Sequence, residues 1–261
     1  MTTGVHGPTR AQIDEKTLRP DRWWLSPVAT FVVFSGFVVF ATVRALMGRD
    51  YYAAPYLSPF YSPCLGDCVE GASDFGQPFQ AWPFSAALLI LVFPLGFRMT
   101  CYYYRKAYYR AFWLSPPACA VAEPKAKYTG ETRFPLLVQN VHRYFWYAAI
   151  LIGLILTFDT VLAFRNEDKE WGHMGLGTLL MLINVILIWL YTLSCHSCRH
   201  TVGGRLRHFS KHPVRYKLWT WVSRLNVNHG AYAWYSLFSV AIVDFYIYLL
   251  ATGTIEDVRF F

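Results

Sequence analysis

Apolar residues in this chain gather into five long blocks separated by polar, largely basic stretches. The blocks run from about Ser26 to Met47, Phe84 to Tyr104, Leu137 to Phe164, His173 to Cys198 and Asn228 to Ala251. Each holds roughly 20 residues or a few more, which is what a helix rising about 1.5 Å per residue needs to cross a hydrocarbon core. The pattern predicts an all-α, polytopic membrane protein whose five transmembrane helices form a bundle. Residues 1–25 then form an N-terminal tail, 26–252 the anchor domain and 253–261 a C-terminal tail. Pro94 and Gly96 predict a kink within the second span, and Trp23-Trp24 reads as an interfacial anchor ahead of the first.

Composition supports this reading. Of 261 residues, 55% are hydrophobic, 18% aromatic and only 15% charged, whereas a soluble domain carries more charge and fewer aromatics. Met1–Arg22 has no apolar core and contains Asp14, Glu15 and Asp21, so it does not read as a signal peptide. The net charge of +8 does not point to nucleic acid, because it lies in the loops on one side of the spans. Residues 98–143 hold eight Lys or Arg and 199–224 hold seven, while the loop 48–82 sets Arg49 against Asp50, Asp67, Glu70 and Asp74. The positive-inside rule then puts the N-terminus in the cytoplasm and the C-terminus outside, in a multi-pass protein of the cell membrane. Outside, Cys64 and Cys68 are expected to close a small loop as a disulfide, with metal binding by the two thiols as the alternative. The Pro-rich stretch 114–124 reads as an irregular cytoplasmic linker.

The chemistry concentrates at one membrane level. Cys101 ends the second span, His142 opens the third, Cys195 and Cys198 end the fourth and His229 opens the fifth. On the helix of the fourth span Cys195 and Cys198, at i and i+3, share one face, with His196 turned about 100° away. A lone Cys at a helix end is ordinarily a small buried hydrophobe, and a lone interfacial His ordinarily a packing residue. Thiols and imidazoles from four helices at one depth make a stronger case, because ionisable groups near a membrane core are costly and mark function. The candidate metal ligands are therefore Cys195, Cys198, His142, His229, Cys101 and His196. They match the donors of a Rieske-type 2Fe–2S cluster, and equally those of a structural Cys2His2 zinc site. A single b haem between His142 and His229 is a further alternative.

The outer half carries Asp159 on the third span and Asp244 on the fifth, roughly 22–26 Å along the helix from His142 and His229. They are candidates for a proton path or a polar wall of a quinone pocket, with Arg44 as cationic partner. Trp234, Tyr235, Tyr246 and Tyr248 are candidates to line a flat slot for a quinone ring.

Three stretches carry a resemblance: Phe97-Arg-Met-Thr-Cys-Tyr-Tyr-Tyr-Arg-Lys-Ala-Tyr-Tyr-Arg110, Gly130-Glu-Thr-Arg-Phe-Pro135 and Ser194-Cys-His-Ser-Cys-Arg-His200. From the first span onward the chain resembles the membrane anchors of succinate:quinone oxidoreductases, respiratory complex II, in their actinobacterial subgroup. That resemblance implies a complex with a flavoprotein subunit and an iron–sulfur subunit on the cytoplasmic face, with catalysis only in the complex. It implies electrons from succinate passing through the iron–sulfur subunit and this chain to menaquinone or a similar quinone, with Trp219 and Trp221 among the docking contacts. Dihaem members use one His on each of four spans. Here the first span has none and the second has Cys101, which is compatible with an iron–sulfur centre in place of haem.

Overall fold

A computed structural model describes residues 19–65, 68, 74–76, 85, 87–124, 132–134 and 136–261. Most of the N-terminal tail, Phe84, Asp67, Glu70 and much of the stretch 130–135 lie outside these residues. The chain is a helical bundle. Long helices cover α1 (Leu25–Met47), α4 (His142–Leu162), α5 (Leu176–Leu193) and α8 (His229–Ala251), and each is long and apolar enough to cross a membrane. In lipid, backbone polar groups have no water to bond, so apolar runs of this length close their hydrogen bonds internally as helices. α5 sits centrally between α4 and α8, with α2 (Ala87–Thr100) against α4. α1 is peripheral; it buries only Arg44 and Ala45 and turns Val28, Phe31, Val32, Val38 and Val39 outward.

Two of the expected spans differ from their sequence reading. The second is not continuous to Tyr104: α2 stops at Thr100 and α3 (Tyr102–Tyr108) leaves it, with the helical turn that follows, at 75°. α2 and this bent segment together make up the fifth candidate span. α2 continues through Pro94 to Thr100, and Gly96 serves packing, because a Cβ there would come within 2.3 Å of the Phe145 ring. The fourth expected span also ends early. α5 starts at Leu176 and stops at Leu193, and Cys198 lies on a separate short helix, α6 (His196–Gly203). α7 (Pro213–Asn226) then packs on α6 before the chain re-enters the bundle as α8.

The loop at the far end folds back into the bundle. A two-residue hairpin, β1 (Tyr52–Ala53) and β2 (Tyr56–Leu57), leads into a buried turn over Pro59–Tyr61. The Tyr61 hydroxyl donates to the Arg44 carbonyl at 2.7 Å and accepts from the Gly48 amide at 2.9 Å, tying this turn to the end of α1. Cys64 and Cys68 are joined as a disulfide. The C-terminal residues pair with the start of α5, through Leu176 N–H to Val258 O at 2.8 Å and Phe260 N–H to Met174 O at 2.8 Å.

Candidate metal centre

The two helix breaks are built alike. Cys101 follows α2 and Cys195 follows the last turn of α5; both are extended residues (φ −62°, ψ 130° and φ −63°, ψ 145°) that start a new short helix. Because Cys195 caps α6 instead of continuing α5, it does not share a helix face with Cys198. Its sulfur accepts from the Ser197 amide at 3.4 Å. The break itself is held by Asn226 of α7, whose Nδ2 donates to the Ser194 carbonyl at 2.7 Å.

His142 and His229 each occupy the first position of a long helix, and both point into this layer. His142 Nε2 faces the Cys195 sulfur at 3.1 Å, while its Nδ1 lies 2.8 Å from the Thr100 hydroxyl. His229 Nε2 faces the Cys101 sulfur at 3.3 Å, while its Nδ1 lies 2.7 Å from the Ser194 hydroxyl. The arrangement is crossed: each break gives its hydroxyl to one imidazole and its thiol to the other. A hydroxyl on Nδ1 fixes the ring and leaves Nε2 for whatever lies beyond it, as outer partners of ligating histidines do. Phe97 stacks on His142 at 5° from parallel, and Tyr191 on His229 at 16°. Cys101, Cys195 and Cys198 are all buried in this core. Burial pushes the Cys195 thiol up to about 12 and raises that of Cys198. A metal ion would have to displace the thiol proton.

The candidate ligands therefore divide. The structure brings Cys101, His142, Cys195 and His229 into two facing pairs. Cys198 is buried beside them but bonds neither imidazole among the described residues, and His196 is exposed. No group of three or more His, Cys, Asp or Glu converges as a single metal ion requires, again among the described residues. A sequence signal for the supporting groups existed in the pattern aromatic-x-x-hydroxyl-Cys. It occurs as Phe97-Arg-Met-Thr-Cys101 and as Tyr191-Thr-Leu-Ser-Cys195, and the stacking ring, the hydroxyl and the thiol occupy equivalent places in both.

An apolar cavity of about 320 Å³ begins at this layer, where Phe97, Arg98 and Tyr191 line it, and extends to Pro59 and Phe60 of the far-end turn. Arg98 is held by the Ala233 carbonyl at 3.1 Å and the Ser236 hydroxyl at 3.0 Å, with its guanidinium 4.8 Å from the centre of the Tyr191 ring. The Tyr191 side chain is 2% exposed, and its hydroxyl has no hydrogen-bond partner among the described residues. A buried phenol without a partner costs free energy that a bound acceptor would recover.

At the far end of the cavity lie the acidic residues. Arg44 Nε donates to Asp244 Oδ2 at 2.7 Å and its Nη2 to Oδ1 at 3.3 Å, in a fully buried ion pair. The hydroxyls of Ser58 and Ser62, from the folded-back turn, donate to Asp244 and Asp159 respectively. Asp159 is thus held by Ser62, and the pairing with Arg44 falls to Asp244. The aromatic slot expected on α8 does not assemble. Trp234 Nε1 donates to Tyr103 Oη at 3.1 Å near the Cys/His layer, the Tyr246 hydroxyl donates to Asp257 at 2.7 Å at the opposite end, and Tyr235 is 57% exposed. Tyr248 lies under the Arg44 guanidinium at 4.6 Å. Trp219 is packed under Arg199 at 4.9 Å and against Gly203, whereas Trp221 remains exposed.

Comparisons with known proteins agree with this architecture. The family model described as actinobacterial succinate dehydrogenase subunit SdhC matches residues 25–253. A chain of the Mycobacterium smegmatis Sdh1 complex in the apo form is 56% identical over 100% of both chains, with a TM-score of 0.89. A comparison with curated proteins finds no significant match.

Proposed function

The chain belongs to the actinobacterial succinate dehydrogenase subunit SdhC family, and on that premise we propose that it passes electrons from the complex's iron–sulfur subunit to a membrane quinone through a 2Fe–2S centre of its own. As a multi-pass membrane anchor of succinate dehydrogenase it has the flavoprotein and iron–sulfur subunits as partners. On the positive-inside reading those subunits sit on the cytoplasmic face, at the Cys/His layer, with Trp221 of α7 exposed toward them. The chain has no catalytic activity alone in this reading.

The observation that carries the proposal is the crossed set of two Nε2–Sγ pairs, each imidazole held from behind by a hydroxyl. Two thiols and two imidazoles are the donor set of a Rieske-type centre, which takes both thiols on one iron and both imidazoles on the other. Cys101, Cys195, His142 and His229 would hold it, with each thiol exchanging its imidazole contact for metal. When bound there, such a cluster supplies one-electron transfer. A b haem would need the two Nε2 atoms to face each other across an iron, and each faces a thiol.

The remaining steps belong to this chain's own groups. Thr100 and Ser194 hold the imidazoles, and Phe97 and Tyr191 cover them with apolar rings that exclude water. A quinone ring, menaquinone in this family reading, enters the cavity between them and Pro59–Phe60. There the unpartnered Tyr191 hydroxyl donates to a quinone carbonyl. Reduction to quinol takes two electrons and two protons. Asp159 and Asp244, each bonded by a serine of the turn bordering the cavity, supply the proton route from the far side. Iron, acid-labile sulfide and electron paramagnetic resonance of the purified complex test the centre. We expect His142→Ala/His229→Ala to lose two irons and a signal with histidine-nitrogen coupling, and to lose quinone reduction. Succinate oxidation with an artificial acceptor persists. Unchanged iron in that variant, or stoichiometric zinc or haem in the wild type, sinks the assignment.

A further inference from the structure

A second cavity, of about 540 Å³, opens beside the start of α1, between that helix, α3, the linker at Pro117–Cys119 and Trp234 of α8. It is separate from the quinone cavity, and its lining is cationic: Arg19, Arg22, Lys106 and Arg110 against the single carboxylate Asp21. Arg19 is already paired with Asp21, with Nε 2.7 Å from Oδ1. Arg22, Lys106 and Arg110 have no carboxylate partner among the described residues, and Arg110 Nε is buried without any hydrogen-bond acceptor. Three unneutralised cations around one hollow repel one another, and an anion there removes that cost.

The surroundings say what kind of anion. The cavity begins at Trp23, next to exposed Trp24, which mark the level where indole rings favour the membrane interface. At the same level α1 turns Leu25, Val28 and Val32 outward on its opposite side, so the helix entering here is lipid-facing from its first turn. We propose that this cavity is a binding site for the phosphate of an anionic phospholipid headgroup, presented to it at the membrane interface. Basic hollows between membrane helices recognise such headgroups. Arg110 and Lys106 bind the phosphate from α3 and its continuation, and Arg22 closes the site from the segment ahead of α1. The bound lipid would brace α3, the segment that follows the Cys101 break, against α1.

The test is native mass spectrometry of the intact, detergent-purified complex titrated with dioleoylphosphatidylglycerol, dioleoylphosphatidylcholine or inorganic phosphate. The wild-type complex retains phosphatidylglycerol in preference to phosphatidylcholine. Arg110→Gln and Lys106→Gln each weaken retention roughly fivefold, the effect of one cation near an anionic headgroup. Arg22 is exposed and precedes the first helix, so Arg22→Gln reports even if the α3 variants fail to assemble, and it weakens retention too. Equal retention of the two lipids, phosphatidylglycerol bound undiminished by the Arg22→Gln complex, or phosphate bound without lipid preference would each overturn the proposal. The last would mark a free-anion site instead.

Discussion

Asp244→Asn isolates what the buried ion pair does, because it keeps the side-chain shape and removes one charge. Arg44 is 4% exposed and Asp244 is 0% exposed, with Nε and Oδ2 2.7 Å apart. At that distance an effective dielectric of about 20 gives an attraction of about 6 kcal/mol. Desolvating two ions cancels much of this, so removing one partner of a buried pair costs about 3–5 kcal/mol. Arg44 keeps the Asp50 carbonyl at 3.0 Å and the Tyr248 ring at 4.6 Å, which places the expected loss near the lower end, about 3 kcal/mol. Arg44→Met/Asp244→Leu removes both charges and should recover about 2 kcal/mol of that loss, since an apolar pair carries no stranded ion. The assay is reversible unfolding of the complex in mixed micelles, read by tryptophan fluorescence for Asp244→Asn, for the single variants Arg44→Met and Asp244→Leu, and for the double. A second readout separates structure from chemistry. If Asp244 conducts protons, the stabilised double variant still reduces quinone slowly while oxidising succinate normally with an artificial acceptor. Single variants costing under about 1 kcal/mol, or a double variant whose loss is the sum of the two, would refute the buried-pair reasoning.

Three further outcomes follow from the same geometry. Thr100→Val and Ser194→Ala leave all four candidate ligands in place yet should lower metal retention about 10- to 100-fold, as lost outer partners do; iron per complex after mild chelation measures it. Tyr191→Phe removes the buried hydroxyl that lines the proposed quinone cavity and has no partner among the described residues. It should cut quinone reduction roughly fivefold to tenfold, mainly through KM, with the iron signal unchanged, in line with the loss of one hydrogen bond of ~1 kcal/mol. Gly96→Leu drives a side chain into the Phe145 ring, where even a Cβ would sit at 2.3 Å. It should destabilise the complex by about 1–3 kcal/mol or prevent assembly, seen as a lower thermal midpoint or lost co-purification of the soluble subunits.

Much of this protein is written in local pattern. The apolar blocks determined the helices and the bundle, because backbone in a lipid core must bond to itself wherever a run is long enough. The depth of Cys101, His142, Cys195 and His229 was also legible, since position along a spanning helix is distance across the membrane. So was the ion-pair partner of Asp244, from the rarity of charges inside spans. Tertiary packing decided the rest. The sequence places Cys195 and Cys198 on one helix face, but the chain breaks at Cys195, as it does at Cys101, and it is the Cys101 thiol, 94 residues earlier, that faces the second imidazole. Helical periodicity does not report such a break, because the residues on either side of each cysteine form helices in their own right. The sequence groups the aromatics of α8, yet one helix points them to different ends and faces, and the cavity is lined chiefly by α1, α2, α4, α5 and the far-end turn instead. A periodic pattern tells a chain where it is buried and how deep. Which thiol meets which imidazole depends on contacts between helices distant in the chain, and only the folded bundle supplies those.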